Sequence, residues 1–286
     1  MTLTIGDTLK YIRSNKQYSQ NKICINTLSR TALSKIENNK LSPTYTKLSY
    51  IVEKLDLDFK EFHYVQNNFS LQGKNLIINN FKLLSNNTEI DALKQLMALC
   101  DEYLATEPED YIIKDILLVL QSLIMLHDGL PIENIVLNVS PVWERISRLD
   151  KWFLIEIYLI NNILFTFDTS SAMPICIRLL EELEKYKALV NKPINISLQL
   201  NLAFMLLSEG NKHQAITYLN QAIILSRQLK RYDLLAVSQV RLGLASTPLN
   251  VSLINKGLSI ISTIELADLE IQVKKEICIF TCPIKK

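Results

Sequence analysis

Arg30, Thr31, Ser34 and Lys35 fall on one side of a helix if residues 28–37 are helical. At 100° per residue, with Arg30 as origin, the four lie between about 0° and 140°, while Ser29, Ala32, Leu33 and Ile36 lie between about 200° and 300°. One face is therefore small or apolar, and the other carries only hydroxyls and cations. Side chains of that kind let a helix lie deep in a nucleic-acid groove, bonding base edges and phosphates. Arg13 and Lys40 are further candidate phosphate contacts, with Arg30 free to read either bases or phosphate. The surrounding charge fits: residues 1–66 hold ten Lys/Arg against six Asp/Glu, whereas the rest of the chain holds 21 against 23. Between Thr8 and Val52 eight basic residues face a single acid, Glu37. A basic module on a near-neutral body suits a nucleic-acid partner, although a solvated basic face accounts for the same numbers.

A second constellation is neutral. Ser197, Asn201 and Ser208 fall within about 40° of one another on an otherwise apolar helical segment. A narrow polar stripe between apolar flanks can pair the backbone of an extended peptide, while Phe204 and Met205 meet its side chains. An asparagine amide offers both a donor and an acceptor, so it can bond a peptide unit of any sequence. Asn162, with Tyr158 one turn earlier, is a second candidate of this type. For both asparagines the competing reading is a hydrogen bond to a neighbouring helix.

Catalytic and cofactor chemistry finds no support. His63, His127 and His213 sit on three separate segments, and no His-Glu-x-x-His, Gly-x-Ser-x-Gly or carboxylate cluster occurs. The two closest of the six glycines, Gly243 and Gly257, are fourteen residues apart, too far for a dinucleotide fingerprint or a phosphate loop. Cys24, Cys100, Cys176, Cys278 and Cys282 are odd in number and scattered, which reads as reduced thiols. Cys278 and Cys282 would stand one turn apart, but nothing nearby completes a zinc set. No metal and no cofactor is expected. Met1 leads into a polar stretch with Asp7, Lys10 and Arg13, so no signal peptide is expected and the chain reads as cytoplasmic. The most apolar stretches, Ile116 to Leu126 and Phe153 to Phe167, are too short for a membrane span or carry Glu156, Asn161 and Asn162.

The elements that must position these residues are helices. Six glycines and eight prolines in 286 residues are few breakers, and no run alternates with period two. An all-α chain follows. Ile5, Leu9 and Ile12 predict a first helix, and Ser19 caps a second that reaches about Ile25. Glu37-Asn38-Asn39 ends the third, with Asn39 in the left-handed conformation. Ser42-Pro43 opens the fourth, with Pro43 in its first turn and Leu48, Ile51, Val52 and Leu55 as its stripe. A fifth holds Phe59, Phe62 and Tyr64. The order of these five helices resembles the repressor-type helix-turn-helix domain. Residues 28–39 are similar to that family's Ser-x-x-x-Ile-Ser-x-Ile-Glu-x-Gly signature, with Leu33 for the first isoleucine and Asn39 for the glycine.

The domains are expected at 1–66, a helix-turn-helix unit; 67–84, a linker or linking helix; and 85–286, a helical-repeat unit. In the last, amphipathic segments break near Ser85-Asn87, Glu107-Pro108, Asp128-Pro131, Asp150, Asp168-Ser171, Lys192-Pro193, Gly210-Asn211, Arg231, Ser246-Pro248 and Leu266. Such regularity suggests an α-solenoid of helical pairs. Ala203, Gly210, Ala215 and Ala222 are spaced similarly to the tetratricopeptide pattern, and Asn201 sits where peptide-binding members of that family place a backbone-clamping asparagine.

A helix-turn-helix joined to such a solenoid resembles the Rgg/MutR-type regulators, peptide-pheromone receptors and transcription factors of low-GC Gram-positive bacteria. Trp152-x-x-x-Glu156-x5-Asn162 looks like their repeat helix, and Leu9-Lys10-Tyr11-Ile12-Arg13 fits their first helix. Two departures matter. Ser42-Pro43-Thr44-Tyr45 lacks the cysteine that some members carry near the fourth helix, and Phe165 stands where some have an arginine. The resemblance implies a homodimeric regulator that binds double-stranded DNA at an inverted repeat. A short hydrophobic signalling peptide would set its DNA affinity or its contact with RNA polymerase, as in quorum sensing. The alternative is a constitutive helix-turn-helix repressor whose helical domain only dimerises or binds a protein partner. An abundance of apolar residues from Ile260 to Phe280 points to dimerisation through the carboxy-terminal helices.

Overall fold

Capping side chains decide where the amino-terminal helices begin in the computed structural model, which describes residues 2–24, 28–84, 90–186 and 193–281. Thr4, Ser19, Ser29, Thr44 and Asp58 each accept a backbone N–H from the first turn they precede. The helices that follow them are α1 (Ile5–Asn15), α2 (Gln20–Ile23), α3 (Arg30–Glu37), α4 (Tyr45–Lys54) and α5 (Phe59–Gln66). Two expectations need correction. The second helix stops at Ile23, with Cys24 already extended, and residues 25–27 lie outside the described residues. The fourth begins at Tyr45 rather than at Pro43, because Thr44 supplies the cap and Pro43 stays ahead of it. Asn39 is left-handed as expected, with φ 58°.

The core of this unit is built from Leu9, Ile23, Leu33, Ile36, Leu55 and Phe62, each 1% exposed or less. Inside it lies one carboxylate, Glu37, only 2% exposed. Arg13 grips it from α1, Nε donating to Oε1 at 2.5 Å and Nη2 to Oε2 at 2.9 Å, and Gln20 Nε2 donates to Oε2 at 2.8 Å from α2. The remaining Arg13 nitrogen donates to the carbonyl of Tyr18 at 2.7 Å. Hydrogen bonding to Glu37 raises the Arg13 pKa further, so it remains a cation. A second clasp joins α1 to the end of α3: a Cβ on Gly6 would stand 2.1 Å from the Ile36 carbonyl oxygen. Only glycine allows that approach.

The chain divides into two compact units, residues 1–76 and 77–286, with the boundary inside α6 (Gly73–Leu83). The second unit continues with α7 (Ile90–Thr106), α8 (Tyr111–His127), α9 (Ile132–Ser147), α10 (Leu154–Ile163), α11 (Thr169–Glu184) and α12 (Pro193–Ser208). It ends with α13 (Lys212–Gln228), α14 (Tyr232–Ala245), α15 (Val251–Thr263) and α16 (Ala267–Thr281). The predicted breaks at 107–108, 128–131, 150, 210–211, 231, 246–248 and 266 fall between helices; of 168–171 only Asp168 does, as the cap of α11, with residues 169–171 already in its first turn, and Pro193 opens α12, while residues 85–87 and Lys192 lie outside the described residues. No strand occurs among the described residues. Pro141 and Pro174 lie within α9 and α11, where the sequence predicted no break.

Successive helices pack as antiparallel pairs, and α8, α10, α12, α14 and α16 also touch one another in turn. They form one continuous row, with the odd-numbered helices against its back. Small residues make the tightest pairings possible. Ala203, Ala215 and Ala222 are fully buried where α12 meets α13. A Cβ on Gly257 would come within 2.6 Å of the Ala236 carbonyl oxygen, so α15 can seat on α14 only with glycine there. Trp152 anchors the start of α10: its indole Nε1 donates to the Ile146 carbonyl at 3.1 Å, and the Arg178 guanidinium lies 3.8 Å over its ring.

Removing Arg13 leaves a buried carboxylate without its counter-charge. Arg13→Met should destabilise the first unit by about 3–5 kcal/mol, and adding Glu37→Leu should recover most of the loss. Urea unfolding followed by tryptophan-independent backbone signals in the first unit, such as amide exchange of α1 and α3, measures both; equal stability of wild type and Arg13→Met contradicts the assignment.

Candidate functional site

In the first unit, α3 presents the surface its sequence implies. Leu33, Ile36 and Glu37 are buried, Arg30, Thr31 and Lys35 are exposed, and Ser34 is half-buried at the edge. Lys40, just past the left-handed turn, is also exposed. Among the described residues none of the Arg30, Thr31, Lys35 and Lys40 side chains has a hydrogen bond or ion pair, so their donors face solvent. Arg13 differs. Its guanidinium is 15% exposed and all three nitrogens point inward, to Glu37 and Tyr18, which leaves none for a phosphate. The sequence marked it as a cation on the right helix, but the spacing could not reveal a buried acid 24 positions away.

Tyr45 is a surface residue that the sequence reading passed over. It opens α4, is 75% exposed, and stacks on Phe59 with ring centroids 5.7 Å apart and planes 9° from parallel. An aromatic ring supported from below and directly following a threonine cap is the signal that would have found it. Placing the helix start at Pro43 hid that signal by counting Tyr45 as interior.

In the second unit the neutral constellation divides between inward and outward roles. Asn162 is 9% exposed, and its Nδ2 donates to the Tyr158 carbonyl of its own helix at 2.9 Å. It is the preceding residue, Asn161, that meets α12: Asn201 Nδ2 lies 3.3 Å from the Asn161 carbonyl oxygen and 3.2 Å from its Oδ1. Ser197 and Ser208 return their hydroxyls to carbonyls one turn earlier, those of Pro193 and Phe204. Met205 is buried, while Tyr158, Asn161, Ser197, Asn201 and Phe204 are all half-buried. These half-buried groups share the row face of α10 and α12. Which of two adjacent asparagines reaches across depends on the rotation of α10, which periodicity fixes too coarsely.

The same face carries charge farther along. Arg241 of α14 binds Glu276 of α16 through Nε and Nη2 at 2.6 and 2.9 Å, donates to the Leu200 carbonyl at 2.7 Å, and lies 5.0 Å over the Phe204 ring. Phe280 meets Phe204 edge-on at 5.7 Å. One arginine thus ties α12, α14 and α16 together. Arg145 of α9, outside the row, sits between Asp115 of α8 at 2.6 Å and Glu156 of α10 at 3.8 Å. Burial pushes the Asp115 carboxyl up to about 6 against the pull of Arg145. Burial likewise raises the Tyr158 phenol and lowers the Lys82 ammonium, the latter opposed by Glu156. Burial pushes the Cys100 and Cys176 thiols up to about 12, far from thiolate chemistry.

Among the described residues no group of three or more His, Cys, Asp or Glu side chains could hold a metal ion. Cys282, one half of the considered cysteine pair, lies outside them. Among the described residues no helix is long and apolar enough to cross a membrane.

No protein-family model matches the sequence, and no curated protein matches it in sequence. Solved structures do match in fold. A protein described as a transcriptional regulator from Listeria monocytogenes EGD-e superposes with TM-score 0.74 at 17% identity, covering 97% of this chain and 98% of that one. Bacillus thuringiensis PlcR, solved with the peptide PapR7 and DNA, gives 0.69 at 16% identity over 99% of each chain. The SHP pheromone receptor Rgg2 of Streptococcus dysgalactiae gives 0.67 at 15% identity, over 96% of this chain and 100% of that one. Over nearly its whole length, therefore, the chain has the fold of these proteins: a helix-turn-helix unit followed by tetratricopeptide-like helical pairs.

Proposed function

We propose that this protein is a DNA-binding transcription regulator controlled by a short peptide held on the row face of its second unit. The observation that carries the reading is α3, whose outward side chains are cations and hydroxyls with unspent donors while its other side closes the core. The reading is supported by the full-length likeness to PlcR, which was solved with both a peptide and DNA. Arg30, Thr31, Ser34 and Lys35 contact the major groove, Lys40 and Tyr45 the flanking phosphates, and Arg13 supports α3 from behind. One recognition helix reads only a few base pairs, so the protein acts as a homodimer on an inverted repeat.

Arg30→Ala should cost ~1–3 kcal/mol on the specific site, and affinity should fall steeply with salt as phosphate contacts release counterions. Gel-shift titration with the intergenic DNA beside its own gene measures both. Salt-independent binding, or no loss with Arg30→Ala, rejects the α3 interface.

Dimerisation uses the last two helices, where Val251, Ile271 and Ile279 stand 54–58% exposed. The double variant Ile271→Glu/Ile279→Glu should sediment as a monomer at micromolar concentration where the wild type sediments as a dimer. A monomeric wild type under those conditions removes the carboxy-terminal interface.

The peptide lies along Tyr158, Asn161, Ser197, Asn201 and Phe204, with Asn162 and Met205 behind that surface. An extended peptide brings unpaired N–H and C=O groups into a largely apolar face, and Asn201 Oδ1 is available to accept one of them. Asn201→Ala should weaken binding of the short hydrophobic peptides encoded near the gene by ~1–2 kcal/mol, roughly ten-fold. The free protein's DNA affinity should stay nearly unchanged. Calorimetry with unaltered peptide affinity but reduced stability makes the Asn201–Asn161 bond purely structural. Absence of peptide binding by the wild type favours a constitutive repressor instead.

A further inference from the structure

A groove of about 570 Å³ runs along α11, a helix that contributes none of the peptide-contact candidates described above. Thr169, Ser170, Met173, Pro174, Ile177, Arg178 and Glu181 line it at three- and four-residue intervals, a single stripe of the helix, and Glu209 joins them from the end of α12. The stripe covers about 18 Å of helix, the length of an extended segment of roughly five residues.

Its centre is apolar: Met173 is half-buried, while Pro174 and Ile177 stand exposed among the described residues. Thr169 and Ser170 bring hydroxyls to one end, that of Ser170 donating to Asp168 Oδ1, and the charges left unpaired are both negative. Glu181 and Glu209 are exposed carboxylates with no hydrogen bond or ion pair to their side chains among the described residues. Pro174 has no N–H, so the carbonyl of Ser170 lacks the helical donor that any other residue at 174 would supply. The lone cation, Arg178, is turned away. Its guanidinium lies over Trp152, and Nη2 donates to the Leu149 and Asp150 carbonyls at 3.2 and 2.9 Å. A groove with an apolar floor, two unpaired carboxylates and an arginine folded onto Trp152 is complementary to cations attached to an aliphatic body.

We propose that this groove is a docking site for an extended protein segment in which aliphatic residues are flanked by lysine or arginine. The aliphatic side chains cover Met173, Pro174 and Ile177, and the basic side chains pair with Glu181 and Glu209. This site stands apart from the row face and does not depend on the regulatory reading.

The test is methyl NMR of the full chain, observing Met173 and Ile177 during titration with acetyl-Lys-Leu-Val-Leu-Lys-amide and, separately, with acetyl-Glu-Leu-Val-Leu-Glu-amide. The basic peptide should shift both methyl signals and the acidic one should not. Glu181→Gln/Glu209→Gln should weaken the basic peptide roughly five- to ten-fold, as the loss of two exposed ion pairs implies. Added salt on the wild type should weaken it in the same direction, which tests the charge term without any substitution. Equal shifts from both peptides, or no shift of the Met173 and Ile177 methyls at millimolar peptide, overturn the proposal.

Discussion

The buried carboxylate of Glu37 is the point on which the first unit turns. A charge taken out of water is tolerable only when every lone pair is met by a positioned donor. Arg13 from α1 and Gln20 from α2 supply them, so three helices are oriented by one side chain at the end of the third. The outward face of α3 is useful only because this inward end cannot rotate. A helix of eight residues has little stability of its own, and its direction is set by what grips its last turn. The close approach at Gly6 and the left-handed Asn39 complete the clasp, the Asn39 amide bonding Asp7 at 3.1 Å.

The second unit solves a different problem. Its helices are apolar nearly all round, as α12 and α14 illustrate, each with ten buried residues. Apolar burial is non-directional and cannot by itself select one stacking of similar helices. Direction comes from a few polar ties: Asn201 with Asn161 and Arg241 with Glu276 and the Leu200 carbonyl within the row, and Arg145 of α9 with Asp115 of α8 behind it. The ties within the row therefore lie beside the half-buried Tyr158, Ser197 and Phe204.

Much of this was legible in the amino-acid sequence, for physical reasons that act locally. A cap such as Ser19 satisfies an N–H group within one turn, so a helix start follows from neighbours in the chain. The amphipathic pattern of α3 separates Leu33 and Ile36 from Arg30 and Lys35 without knowledge of any partner. Alanine spacing along α12 and α13 announces a close helical pair. Each of these depends on residues only a few positions apart, and the all-α class with its two units follows from them.

What only the tertiary structure decided depends on groups far apart in the chain. Arg13 reads as a surface cation until Glu37 is found opposite it, and Glu37 reads as a surface acid until its helix is seated. Asn162 and Asn161 are equivalent in sequence terms, and a 100° difference in direction assigns one to its own helix and the other to α12. Pro174 lies inside α11, where it leaves the Ser170 carbonyl without its helical donor while Ala172, Cys176 and Leu179 around it are fully buried. The groove beside it exists only because Glu209 arrives from the end of another helix. Local rules determine which residues can do chemistry; long-range burial determines which of them remain free to do it.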